Sequence, residues 1–205
     1  MTQPIDPTPA KPLRADARRN RARLLEVAEQ VFAERGTGVS TEEIARRAGV
    51  GIGTVFRHFP TKEALLEAVF LGRLARLGEQ AQVLARSEEP GPAFFAFFTL
   101  VVDQASAKNA FADALAAAGV NVQAAASGMV GEFAGTLTGL LDRAQQAGAV
   151  RADIGVGELK AVLVGTSRAV EHVGDDPATR ARIIALLLDA LRPPAGSPTT
   201  AQPTT

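Results

Sequence analysis

An all-α fold is predicted from three features of the 205-residue chain. Apolar residues recur at helical spacing almost throughout, no alternating stretch of strand length interrupts them, and glycine or proline stands where the periodic runs stop. The architecture expected is an N-terminal three-helix unit containing a helix-turn-helix, followed by a larger helical domain. With 46% apolar residues the chain can bury a substantial core.

The elements follow in order. Residues 1–13, with four prolines, and residues 193–205, "PPAGSPTTAQPTT", carry too little apolar surface to offset the entropy of ordering and are expected to be disordered tails. In "RARLLEVAEQVFAERG" the residues Leu24, Val27, Ala28, Val31 and Phe32 form one helical face, with Gly36 as the stop. Ser40 or Thr41 caps the next helix, "TEEIARRA", where Glu42 and Glu43 suit the positive end of the helix dipole. Gly49 ends it, because glycine accepts the left-handed backbone that reverses the chain. A third helix runs from a Gly51 cap to Phe59, Pro60 breaks it, and "PTKEALLEAVFLGRLARLGEQAQVLAR" supplies a long fourth. Beyond Pro90 and Pro92 a stripe of Phe94, Phe97, Phe98, Val101, Val102 and Ala105 marks another helix. Further helices are expected at about 110–118, 128–147, 156–173 and 177–191. The predicted domains are 14–62 and 63–192.

Composition narrows the function. The 22 cations balance the 22 acids, yet residues 1–62 hold 11 of the cations and 7 of the acids, so a basic front end sits on an acidic remainder. The absence of cysteine removes disulfides, thiolate metal sites and thiol nucleophiles, and is compatible with the cytoplasm. The N-terminal stretch lacks the apolar core of a secretion signal. The longest uncharged run, residues 114–131, is alanine-rich and contains Gly119, Asn121 and Gln123, so no membrane partner is expected. Two histidines, no tyrosine and no G-x-S-x-G, H-E-x-x-H or P-loop leave nothing that pairs a base with a nucleophile. No enzyme, cofactor or metal is expected.

The stretch "AGVGIGTVFRHFPTKEAL" carries the functional signal. A dinucleotide loop needs a strand before its glycines, whereas a capped helix precedes these, and Gly49, Gly51 and Gly53 do not fit G-x-G-x-x-G. The alternative is a helix-turn-helix: Ala45 allows a close helix crossing, Ile44 and Val55 fill the shared core, and Phe59 locks the second short helix onto the first helix of the unit. Thr54, Arg57, His58 and Lys62 then point outward, with Thr41, Arg46 and Arg47 on the helix before. Such donors and cations suit phosphate oxygens. Arg14, Arg18, Arg19, Arg21 and Arg23 form either an arm along phosphates or the minor groove, or a solvated helix start.

From about Arg19 to Val69 the sequence resembles the DNA-binding domain of tetracycline-repressor-like (TetR family) regulators, whose pattern reads roughly T-x-x-I-A-x-x-A-G-V-S-x-G-T-L-Y-x-H-F-x-x-K-x-x-L. Here it reads "TEEIARRAGVGIGTVFRHFPTKEAL". The resemblance implies phosphate contacts by Thr41, Thr54, Phe56, His58 and Lys62, and base-edge contacts around Glu42, Gly51, Ile52, Gly53 and Arg57. Gly51 stands where the family has serine, losing a cap hydroxyl at a cost of only a few tenths of a kcal/mol. Phe56 stands where it has tyrosine, removing a phenolic donor. Readout then leans on Arg57, Arg46 and the apolar side chain of Ile52.

The resemblance also implies an apolar effector pocket in the second domain. Phe94, Phe97, Phe98, Val101, Phe111, Met129 and Phe133 form either an ordinary core or the walls of that pocket, with Gln104, Asn109, Asn121 or Gln123 then orienting the ligand. The last helix, "RARIIALLLDAL", is apolar around most of its circumference, and Ala161, Gly165 and Ala169 make a small-residue stripe before it. Together with Ile184, Leu187, Leu188 and Leu191 these residues suggest a two-fold homodimer. The expected function is a repressor released from a palindromic operator by a mostly apolar small molecule. The alternative is an architectural DNA-binding protein without an effector.

Overall fold

The computed structural model describes residues 11–174 and 176–194. Residues 1–10 and 195–205, most of the two expected tails, lie outside the described residues, as do the side chains of Arg14 and Gln123. The described residues form nine helices: α1 (Lys11–Arg35), α2 (Thr41–Ala48), α3 (Ile52–His58), α4 (Lys62–Ala85), α5 (Pro90–Asp103), α6 (Ala105–Ala117), α7 (Val122–Gln146), α8 (Val156–His172) and α9 (Pro177–Ala190). Three boundaries differ from expectation. Helix α1 already includes residues 11–13. Helix α6 begins at Ala105, because Gln104 keeps a right-handed helical conformation and bends α5 into α6 without a loop. Helix α7 begins at Val122, where the Asn121 side chain accepts from the Ala124 N–H at 3.0 Å and caps a start that the alanine run conceals.

The turn between α2 and α3 is built from backbone geometry. The Ser40 hydroxyl caps α2 by accepting from the Glu43 N–H. At the other end Gly49 has φ 69°; its N–H bonds the Arg46 carbonyl at 3.2 Å, and the Val50 N–H bonds the Ala45 carbonyl at 3.0 Å. That pair of bonds is the Schellman arrangement, and Val50 packs back onto the core beside Ala45.

Two apolar cores result. The first joins Leu24, Val31 and Phe32 of α1, Ile44 of α2, Val55 and Phe59 around α3, and Leu65, Leu66, Val69 and Phe70 of α4. It also takes in Phe111 and Leu115 of α6 and Ala126 of α7. Lys62 therefore marks the start of a helix, while the packed unit continues beyond it. The second core gathers Phe94, Phe97, Phe98 and Val102 of α5, Leu137, Leu140 and Leu141 of α7, Leu159 and Leu163 of α8, and Ile184 and Leu191 at α9.

Because Gly49 alone among the α2–α3 turn residues has a positive φ, Gly49→Ala is expected to lower unfolding stability by about 1–2 kcal/mol. Gly51, at φ −69° with open space around it, gains a cap in Gly51→Ser, which is expected to raise stability by a few tenths of a kcal/mol. Chemical denaturation of the two variants checks both signs.

Candidate nucleic-acid interface

Helix α3 is held from below by Val55, which is fully buried, and by Phe59 at its C-cap, over whose ring the Arg21 guanidinium sits at 5.0 Å. Because α1 already begins at Lys11, Arg21 lies well inside that helix, and it packs on the C-cap of the reading helix as well as adding charge. Ile52, Gly53, Phe56 and Arg57 remain exposed on the outer edge, with Thr54 and His58 half-buried beside them. Phe56 keeps 43% of its surface and Ile52 36%, large values for apolar side chains on a helix of seven residues. Lys62 lies half-buried in the first turn of α4, where Thr61 caps by accepting from the Ala64 N–H at 3.1 Å. Gly51 is exposed, and a Cβ there or at Gly53 meets nothing within 4 Å, so this edge offers unobstructed backbone.

The neighbouring helix α2 divides its polar residues differently. Thr41 is only 7% exposed, so packing accounts for most of its surface. Glu42 is exposed, and its carboxylate is held below its ordinary pKa first by its own backbone N–H and then by the Ser40 and Thr41 hydroxyls. Glu43 accepts from Arg46 at 2.7 Å and from Arg35 at 2.9 Å, with the Arg47 Nε at 3.8 Å. Hydrogen bonds from Arg46, followed by the charges of Arg46, Arg35 and Arg47, lower the Glu43 pKa. Arg47 also reaches Glu34 at 2.5 Å. Among the described residues Arg57 and Lys62 have no such ion pair, nor do Arg18, Arg21 and Arg23 of α1, so the unpaired positive charge lies on α3, the start of α4 and α1 rather than on α2.

The interface is thus a short helix, offered edge-on by a rigid turn, with cations where its edge meets the next helix. Comparison with known proteins places it. Residues 24–69 match the family described as "Bacterial regulatory proteins, tetR family", and residues 89–193 match "Transcriptional regulator SbtR-like, C-terminal domain". The TetR transcription regulatory protein of Mycobacterium vanbaalenii is 46% identical, with 88% of this chain and 99% of that one covered at a TM-score of 0.70. The chain belongs to the TetR family of transcriptional regulators. A TetR regulator of Streptomyces coelicolor is 36% identical over 85% of this chain and 99% of its own, at a TM-score of 0.69. An HTH-type transcriptional regulator of Staphylococcus aureus (strain USA300) is 43% identical over 54 residues, 26% of this chain and 29% of that relative. The chain therefore matches less than a third of the length of these curated relatives. As a TetR-family member, the protein is a DNA-binding regulator and not an enzyme.

The C-terminal part of the chain holds a cavity of roughly 550 Å³ between α5, α6, α7 and α8. Of the expected wall residues, Val101 and Phe133 line it, as does Asn109. Met129 joins Val101 and Phe133 around an adjoining lobe of roughly 210 Å³. Phe94, Phe97 and Phe98 lie elsewhere: they face inward from α5 and fill the core. Phe111 belongs to the DNA-reading unit, Gln104 is exposed at the α5–α6 bend, and Asn121 serves as the α7 cap. Lys160, Leu163, Val164, Ser167 and Arg168 on α8 form the opposite cavity wall, with Val164 at the edge that also faces outward. Their signal in the sequence was the spacing 160, 164, 168, one position before the small-residue stripe.

That stripe, Ala161, Gly165 and Ala169, is exposed along α8 beside Val164, which keeps 65% of its surface. On α9, Ile184 and Leu191 are buried in their own chain and Leu187 and Leu188 are half-buried. Leu186, 62% exposed, is the large apolar residue that α9 leaves outside.

Lys62→Ala is expected to weaken binding to all DNA sequences alike and to reduce the slope of log affinity against log salt by about 1. Arg57→Ala is expected to cost about 1–3 kcal/mol of discrimination at one base position. Arg46→Ala, which removes a cation already tied to Glu43, is expected to change discrimination much less. Fluorescence anisotropy titrations of the three variants across salt concentrations measure all of these effects.

Proposed function

We propose that the protein acts as a homodimeric repressor whose two α3 helices enter successive major grooves of a palindromic operator, and that a small molecule in the α5–α8 cavity releases it. The observation that carries this reading is the span of α4. One helix places Lys62 at the DNA-facing edge and, three to four turns later, Leu74 and Leu77 against the cavity lobe. A ligand that favours one placement of α4 changes the spacing of the two reading helices, and its effect is bounded by its difference in affinity between the two conformers.

Contacts follow from the exposed edge. Thr54, Phe56, His58 and Lys62 approach backbone phosphates; Arg57 and Ile52 approach base edges, with Glu42, Gly51 and Gly53 flanking them. Arg46 and Thr41 act mainly by holding α2. Dimerisation through Ala161, Val164, Gly165, Ala169 and Leu186 buries an otherwise solvated apolar face in one self-complementary patch. With DNA as partner, the site of action is the cytoplasm. A purely architectural role without an effector leaves a cavity of this size unexplained, so the ligand-responsive reading is preferred.

Selection of bound fragments from a random DNA library tests the reading: a two-fold symmetric motif is expected, and recovery of no motif contradicts it. Gly165→Arg, which drives a long cation into the small-residue stripe, is expected to give a monomer mass in solution and at least a tenfold loss of operator affinity. Light scattering and anisotropy measure the pair.

A further inference from the structure

The ligand-responsive reading leaves open what kind of molecule fits. We propose that the α5–α8 cavity takes an amphipathic monoanion, a carboxylate whose head lies at Lys160 and Arg168 and whose apolar body runs toward Leu74 and Leu77 of α4. The inference rests on that reading for its regulatory meaning, though not for binding itself.

Charge is the first support. The main cavity is lined by two cations, Lys160 and Arg168, and by no carboxylate. Lys160 is exposed at the mouth with no ion pair among the described residues. Arg168 is paired at the rim through Nη1 with Glu171 at 2.9 Å and Asp113 at 3.6 Å, so Lys160 supplies the uncompensated charge and Arg168 contributes its remaining N–H donors, held in one place. Asn109 donates one amide N–H to Glu171 at 3.2 Å and retains a second for a ligand oxygen. A carboxylate accepts from all three kinds of donor, and charge-assisted bonds of this type are the strong ones.

Shape is the second. Val101, Val130 and Phe133 line both the main cavity and the 210 Å³ lobe, so the two spaces adjoin across shared side chains. The lobe is walled by Leu74, Leu77 and Met129 in addition, with no charged residue. The hollow beyond it, between α4 and α7, carries Glu79 and Glu132 and repels a second anionic group. Polarity therefore runs one way: a cationic mouth at α8, an apolar interior, and an acidic far side. Unlike the mostly apolar effector expected from sequence, such a ligand needs a negative head, and its tail lies against the helix that bears Lys62.

Octanoate, 1-octanol and octylamine, titrated into the full chain by calorimetry, separate the possibilities; the chain has no tryptophan or tyrosine to serve as an optical probe. Octanoate is expected to bind at least tenfold more tightly than either analogue, and each added methylene to strengthen binding about fourfold until the lobe is full. Lys160→Met, at an exposed position that does not hold the core, is expected to weaken octanoate about tenfold and leave 1-octanol unchanged. No binding of octanoate, or equal or tighter binding of the alcohol or the amine, overturns the proposal. Operator affinity measured in the same samples separates the two readings. Octanoate that binds without releasing DNA supports the anion site and removes the regulatory role, while release by the amine alone does the reverse.

Discussion

Phe111 lies in the wrong half of the protein by chain order, and the architecture depends on that placement. It projects from α6 into the core of the DNA-reading unit, edge-on to Phe32 of α1, with ring centroids 5.7 Å apart and planes at 84°. The Arg73 guanidinium from α4 covers it at 5.3 Å. Glu29 of α1 in turn holds both Arg73, as an ion pair at 2.9 Å, and Arg76 at 2.6 Å. Leu115 of α6 and Ala126 of α7 enter the same core. Truncating a buried phenylalanine of this kind costs about 3–5 kcal/mol. The DNA-reading helices are therefore packed in part by residues that belong, along the chain, to the regulatory half. Since Asn109, two residues before Phe111, lines the α5–α8 cavity, one short helix touches both the cavity and the core beneath α3.

Charge on the reading surface is arranged by subtraction as much as by placement. The first 62 residues carry an excess of cations, yet Glu43 and Glu34 engage Arg35, Arg46 and Arg47, all outside α3. Pairs this exposed add little to stability. Their effect is to fix α2 against α1 and leave Arg57 and Lys62 as the cations that dominate the exposed edge. Glu43 is ionised at neutral pH, and its lowered pKa carries the arrangement further into acid than an ordinary glutamate would, until the pH falls through that lowered value and the carboxylate takes up a proton.

Much of this was legible in the sequence because it is local. The α2–α3 turn follows from a capping serine, two acids in the first turn and a glycine at φ 69°, each a consequence of near neighbours along the chain. Helical periodicity located the later helices for the same reason. What the sequence hid depends on distant partners. "FFAFF" identified a core helix, but whether Phe94, Phe97 and Phe98 faced a cavity or filled it was decided by α7 and α8 packing against them. Nothing in the sequence distinguishes Lys160 and Arg168 from other helix cations, and they matter only because α5 and α7 border the space beside them. Likewise, Ile184 and Leu186 differ by two residues on an apolar helix, and only the position of α8 determines which is buried in its own chain and which is left exposed.

The shared core makes the DNA-reading unit and α6 one cooperative body, and amide hydrogen exchange of the full chain with Phe111→Leu tests this most directly. If the account holds, the milder substitution speeds exchange in α1 and the first half of α4 together with α6. Faster exchange confined to α6 and α7, with α1 and α4 unchanged, would show that the reading unit stands without Phe111 and would contradict it.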